Sequence, residues 1–223
     1  MMMKIDRIEA YLDELFPDAG CELNYNKDYE LLIAVVLSAQ TTDKRVNMVT
    51  EELFSKYDIY SLSKANLKDL ERILRPIGTY TRKAYYVREI ASKLIKDYDG
   101  KVPNNRKYIE SLPGAGRKTA NVVLSNLFDV PAIAVDTHVE RTSKRLGLAK
   151  EYDDVSKVEE KLMRKYKRDN WSKRHHQMVL FGRYFCKSKN PNCNECKLYD
   201  ICKYKKEKRD NNEKNTRRKN ETN

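Results

Sequence analysis

Residues 112–123 read LPGAGRKTANVV. A proline and two glycines stand here between two stretches with helical spacing. The segment before, KYIESL at 107–112, ends on an apolar residue, and Arg117 to Phe128 carries a second apolar stripe. The reading is helix–hairpin–helix over about residues 107–128. Glycine lets a backbone approach a ligand closely. The first turn of the second helix offers N–H groups and the positive end of a dipole. A phosphodiester fits such a turn without any base contact, so Gly114 and Gly116 are candidate DNA contacts that position but do not read sequence. The same residues also serve a plain link between two helices. A nucleotide-binding P-loop needs G-x-x-x-x-G-K-[ST] after a strand. Here Arg117, not glycine, precedes Lys118, and the segment before the turn reads as helix, so no nucleotide cofactor is expected.

Lys118 opens the second helix beside Arg117. The helix start and the guanidinium both oppose a further positive charge, which favours the neutral amine, the nucleophilic form. A neutral lysine can form a Schiff base; a charged one can contact phosphate. Asp136 follows the apolar run Ala132 to Val135 and precedes Thr137-His138. It has the position of a helix N-cap. An ionised carboxylate there could also steady a cationic sugar.

Further out, the chain reads almost wholly as helices. Ile5, Ile8, Tyr11, Leu12 and Leu15 recur at helical spacing, and Asp28 can cap an apolar helix from Tyr29 to Ala39. Helical stretches follow at 46–57, 66–74 and 83–98, broken by Pro76 and Gly78, and then at 136–146, 155–167 and 173–184. No run of alternating strands is visible, so the fold class is all-α. The longest apolar stretch, Leu31 to Ala39, is far short of the ~20 residues of a membrane span. With no secretory signal at MMMKIDRIEA, the expected location is the cytoplasm, nucleoid-associated in a prokaryote, with no membrane partner.

The net charge is +12, from 45 Lys+Arg against 33 Asp+Glu. Residues 203–223 hold nine basic and four acidic side chains and almost nothing apolar, and are expected to be a disordered basic tail. The rest of the chain is still basic, which makes phosphate polymers the leading partner class.

Cys186, Cys193, Cys196 and Cys202 form C-x6-C-x2-C-x5-C. In a reducing compartment such a cluster points to metal rather than disulfides. Zinc and a [4Fe–4S] cluster would both accept four thiolates. Zinc sites more often show two short pairs, whereas only Cys193 and Cys196 are close here. The loop between the first two cysteines holds Lys187 and Lys189, and Lys189 is a candidate phosphate contact.

The order LLIAVVLSAQTTD, LPGAGRKTANVVL, AVDTHVERTSKRLGL, then FGRYFC and the four-cysteine spacing, resembles the endonuclease III family of the helix-hairpin-helix-GPD superfamily of DNA glycosylases. The likeness runs from about residue 5 to 202. It implies two α-helical lobes with a DNA-binding cleft between them. One would be a six-helix lobe over 22–130. The other would join 1–21 to 131–202 and carry a [4Fe–4S] cluster loop at 186–202, with zinc the less favoured occupant. By the resemblance, the catalytic lysine falls on Lys118 and the catalytic aspartate on Asp136. The cluster ligands fall on the four cysteines. Gln40 enters the DNA at the extruded base, and His138 follows the aspartate as a further DNA contact. The implied activity is that of a monomeric glycosylase and abasic-site lyase. It removes oxidised pyrimidines from damaged double-stranded DNA and cuts 3′ to the abasic site by β-elimination. A non-catalytic DNA-binding protein with a structural metal is the competing reading of the residues. The family places a bulky apolar wedge after Ile-Gly in the segment here reading IGTYTRKA; this chain has Thr79 there, which implies weaker insertion or a different wedge. The related adenine-mismatch glycosylases lack the lysine, and Lys118 separates this chain from them.

Overall fold

The computed structural model describes residues 3–204. Among these residues there are helices and turns and no strand. Helix α1 spans Lys4–Leu15, α2 Asp28–Leu37, α3 Asp43–Lys56, α4 Ile59–Lys64, α5 Leu67–Leu74 and α6 Tyr80–Tyr98. Then come α7 at Arg106–Ser111, α8 at Arg117–Phe128, α9 at Thr137–Arg145, α10 at Val155–Lys165 and α11 at Trp171–Leu180. A turn of π-helix, Phe181–Phe185, extends α11. Among the described residues no helix is long and apolar enough to cross a membrane. The basic tail expected from the sequence lies outside the described residues, apart from Lys203 and Tyr204.

The chain divides into two compact units, Cys21–Ala132 and Met1–Gly20 with Ile133–Asn223. The Cys21–Ala132 unit is built round α2. Its residues Tyr29 to Leu37 are all buried, because the stretch is apolar on every face and so can only be a core element. Helices α3, α6 and α8 pack against it. Among the described residues this unit has seven helices, where the sequence reading expects six. The addition is α4, only six residues long, with Ile59 and Leu62 its buried positions. Two apolar residues are too few to show a period. A capping box fixes α4: Asp58 accepts from the Ser61 N–H at 2.7 Å and the Ser61 hydroxyl accepts from the Asp58 N–H at 2.9 Å.

The other unit joins the two ends of the chain in one core. Ile8, Tyr11 and Leu12 of α1 pack with Val139 of α9, Val158 and Leu162 of α10, and Met178 and Phe181 near the end of α11. Arg174 ties α1 down. It is 6% exposed and donates to Glu9 at 3.0 Å and to both oxygens of Asp13 at 2.7 and 3.0 Å. Fully buried Gln177 donates to the Leu12 and Phe16 carbonyls, meeting C-terminal acceptors of α1. Ala132 to Val135 is buried coil rather than a strand.

Candidate active site and metal centre

The glycine turn lies between α7 and α8. Asn105 caps α7 by accepting from the Tyr108 N–H at 3.2 Å. The two glycines of the turn do different work. Gly114 has φ +74°, and a Cβ there would sit 2.4 Å from Cδ2 of Tyr86 and 3.1 Å from Cγ1 of Val36. Both its conformation and its neighbours require glycine. Gly116 is extended, with φ −150°, and has nothing within 4 Å of a Cβ position. It stands as the N-cap of α8 and offers no side chain to the first-turn N–H groups. An open surface at a helix start is what a phosphate oxygen can occupy.

Lys118 lies in that first turn, exposed, and no carboxylate among the described residues holds its amine. In the same unit, exposed Gln40 has φ +56°, and so does exposed Thr79, the N-cap of α6. Left-handed backbone is uncommon for residues with a side chain, and it persists only where the surroundings hold it.

Asp136 belongs to the other unit. It is the N-cap of α9, half-buried, and its Oδ1 accepts from the His138 and Val139 N–H groups at 2.9 and 2.8 Å. Both bonds use one oxygen, so Oδ2 faces no protein donor among the described residues. The buried run before it fixes where the carboxylate emerges. His138 follows, half-buried, its main chain against Gly182: a Cβ on Gly182 would come within 2.8 Å of the His138 Cβ and 3.1 Å of its carbonyl oxygen. The π-helical turn and the start of α9 can approach this closely only because residue 182 is glycine.

The four cysteines of the spacing motif line one recess, walled also by Leu146, Phe181 and Phe185. Burial pushes the Cys186 thiol up, and the Cys196 thiol up to about 11. Thiolates placed here therefore call for compensating cationic charge, which metal centres supply. Among the described residues no three His, Cys, Asp or Glu side chains gather tightly enough to hold one ion. A single zinc at ~2.3 Å from each sulfur demands that tight grouping, whereas a polynuclear cluster sits between more widely spaced thiolates. The four cysteines that line the recess are the residues that would hold such a group. Lys189 is exposed on the loop between Cys186 and Cys193.

Two arginines of α9 hold this loop. The Arg145 guanidinium donates to the Cys186, Lys187 and Ser188 carbonyls at 3.3, 2.7 and 3.1 Å and stands 3.4 Å from the Cys186 sulfur. Arg141 donates to the Gly182 carbonyl at 2.7 Å and the Cys186 carbonyl at 3.3 Å. The helix that begins at Asp136 is thus the helix that carries the cysteine loop. Neither arginine stands out in the sequence, but their spacing of four places both on one helix face, and that signal was available in ERTSKR.

Residues 33–168 match the profile described as HhH-GPD superfamily base excision DNA repair protein. The chain is 47% identical over 209 residues to endonuclease III of Bacillus subtilis (strain 168), covering 91% of this chain and 94% of that protein. It is 39% identical over 207 residues to endonuclease III of Escherichia coli (strain K12), covering 92% and 98%. Among solved structures, a trapped endonuclease III–DNA covalent intermediate superposes with a TM-score of 0.87 at 47% identity, covering 93% of this chain and 99% of that one. A non-covalent endonuclease III–DNA complex gives 0.87 at 48% identity with the same coverage. A thermostable thymine-DNA glycosylase, at 23% identity and a TM-score of 0.80, shares the fold. The chain belongs to the endonuclease III family of HhH-GPD base excision repair enzymes, the DNA glycosylases that are also abasic-site lyases.

Proposed function

We propose that this glycosylase and lyase acts on oxidised pyrimidines in duplex DNA, with Lys118 as nucleophile and Asp136 as its carboxylate partner. The observation that carries the assignment is an uncapped helix start, directly after a glycine turn, that presents one unpaired amine. The target base is turned out of the duplex, because its sugar carbon is shielded within the stack. Damaged bases pair and stack poorly, which lowers that cost. Lys118 Nζ forms a bond to C1′ as the glycosidic bond breaks and the base leaves with the electron pair. Asp136 steadies positive charge developing on the sugar through its uncommitted oxygen. One amine proton passes to the departing base and one to O4′ as the sugar ring opens to a Schiff base. Loss of a C2′ proton then expels the phosphate from C3′, which cuts the strand on the 3′ side. Water hydrolyses the imine and frees the lysine.

Gly114 and Gly116 bring main chain to the DNA backbone, while Gln40, His138 and Lys189 make further DNA contacts. Cys186, Cys193, Cys196 and Cys202 hold a [4Fe–4S] cluster. Bound there, a cluster would tie together the loop that Arg141 and Arg145 of α9 hold. The enzyme works as a monomer without a nucleotide cofactor, in the cytoplasm.

Borohydride reduction on an abasic-site duplex tests the assignment. A covalent protein–DNA adduct is expected, and Lys118→Ala should abolish it. An adduct that survives Lys118→Ala undiminished, or maps to another side chain, removes the assignment.

A further inference from the structure

Lys83 is 3% exposed, in the first turn of α6, and no carboxylate among the described residues pairs with its ammonium. A buried ammonium without a counter-ion is costly, so its partners matter. They are the Ala39 carbonyl oxygen and the Thr41 hydroxyl, each at 2.9 Å from Nζ. These two groups flank Gln40, the residue at φ +56°. Main-chain bonds hold its two ends, from the Ala39 N–H to the Val36 carbonyl at 3.4 Å and from the Thr41 N–H to the Ser38 carbonyl at 3.1 Å, and the Thr41 hydroxyl lies 3.3 Å from the Ala39 carbonyl. The main chain of Lys83 faces a second left-handed residue, for its N–H donates to the Thr79 carbonyl at 3.0 Å. That bond is the first main-chain bond of α6, so Lys83 stands one helical turn from the left-handed N-cap while its ammonium reaches both neighbours of Gln40.

We propose that Lys83 is a positioning residue, whose ammonium clamps the Ala39–Thr41 turn so that Gln40 is presented to the DNA from a fixed backbone, in register with the Gly78–Thr79 turn. The proposal rests on the reading of Gln40 as a DNA contact at the extruded base. Lysine suits the clamp better than a neutral residue, because its three donors reach two acceptors on either side of the presented residue.

The test uses the full chain with its metal centre intact. Lys83→Met keeps the aliphatic stem and removes the ammonium. Single-turnover base release from a thymine-glycol duplex should fall about tenfold. Cleavage of an abasic site in a single-stranded oligonucleotide has no stack to fill, and should stay within about twofold. Adding Lys83→Met to Gln40→Ala should cost little beyond Gln40→Ala alone, since both remove one function. Equal losses on duplex and single strand, or full additivity of the two changes, would overturn the clamp. A defective Gln40→Ala beside a normal Lys83→Met would overturn it as well. A silent Gln40→Ala would instead remove the reading of Gln40, and the purpose of the clamp with it. Should Lys83→Met not fold, Thr41→Val deletes one of the two acceptors at almost constant shape. The same duplex-selective loss is expected, at about threefold, and an unchanged duplex rate would count against the proposal.

Discussion

At the scale of single residues, the two glycines of the hairpin separate structure from function. An alanine at 114 must hold φ at +74° and put its Cβ 2.4 Å from the Tyr86 ring. Gly114→Ala should destabilise the protein by about 2–4 kcal/mol, read from the midpoint of chemical denaturation. Gly116 is extended and open, so Gly116→Ala should leave that midpoint within about 0.5 kcal/mol while weakening duplex binding, because the added methyl occupies the approach to the helix start. Equal stability losses for the two substitutions would contradict the distinction. The sequence shows that both positions are glycine and that a turn joins two helices. It does not show which glycine is demanded by the fold, because Tyr86 and Val36, the residues that crowd position 114, lie far away along the chain.

At the scale of elements, α9 carries two duties. Its N-cap is the proposed catalytic carboxylate, and its last two turns carry Arg141 and Arg145. Removing Arg145 takes its donor from the Lys187 and Ser188 carbonyls, leaves the Cys186 carbonyl to Arg141, and takes a positive charge from beside the Cys186 sulfur. Arg145→Met should therefore loosen the cysteine loop. The broad visible absorption expected of an iron–sulfur protein should decay several-fold faster under chelator and air, about tenfold if the interaction is worth ~1.4 kcal/mol. Cleavage at abasic sites should be retained until the colour is lost. A variant that keeps its colour as long as the parent would show that the loop does not depend on the arginine. The cysteine spacing was legible in the sequence because four sulfur ligands within a short segment have few other uses. The support for it was not. Arg141 and Arg145 read as ordinary polar-face residues, and Gly182 as one glycine among seven, until the π-helical turn brings that glycine against His138. The short helix α4 escaped notice because two buried apolar residues define no period.

At the scale of the whole chain, the unit that contains Asp136 and the cysteines is discontinuous, and its closure depends on α1 returning to α11. The chemistry of that closure sets an acid limit. The Arg174 guanidinium, with Lys173 and Gln177, holds the Asp13 carboxyl well below the ordinary carboxylate range, against the opposing effect of burial. A depressed folded-state value means that the unfolded chain takes up the proton first as pH falls. The contribution is therefore complete above the unfolded carboxylate value of about 4 and is lost progressively below it. Trp171, the one tryptophan of the chain, opens α11 and donates from its indole to the Tyr166 carbonyl at 3.0 Å, so its emission reports on this unit. The denaturant midpoint seen by Trp171 should fall between about pH 5 and pH 3. Asp13→Asn cannot gain a proton and keeps at best a neutral acceptor. Its midpoint at neutral pH should already be lower than that of the parent, by about 1–2 kcal/mol for a half-exposed pair, and its further fall on acidification should be shallower. Parallel acid limbs for the two proteins would mean that other carboxylates set the limit and that the Arg174 cluster only orients α1.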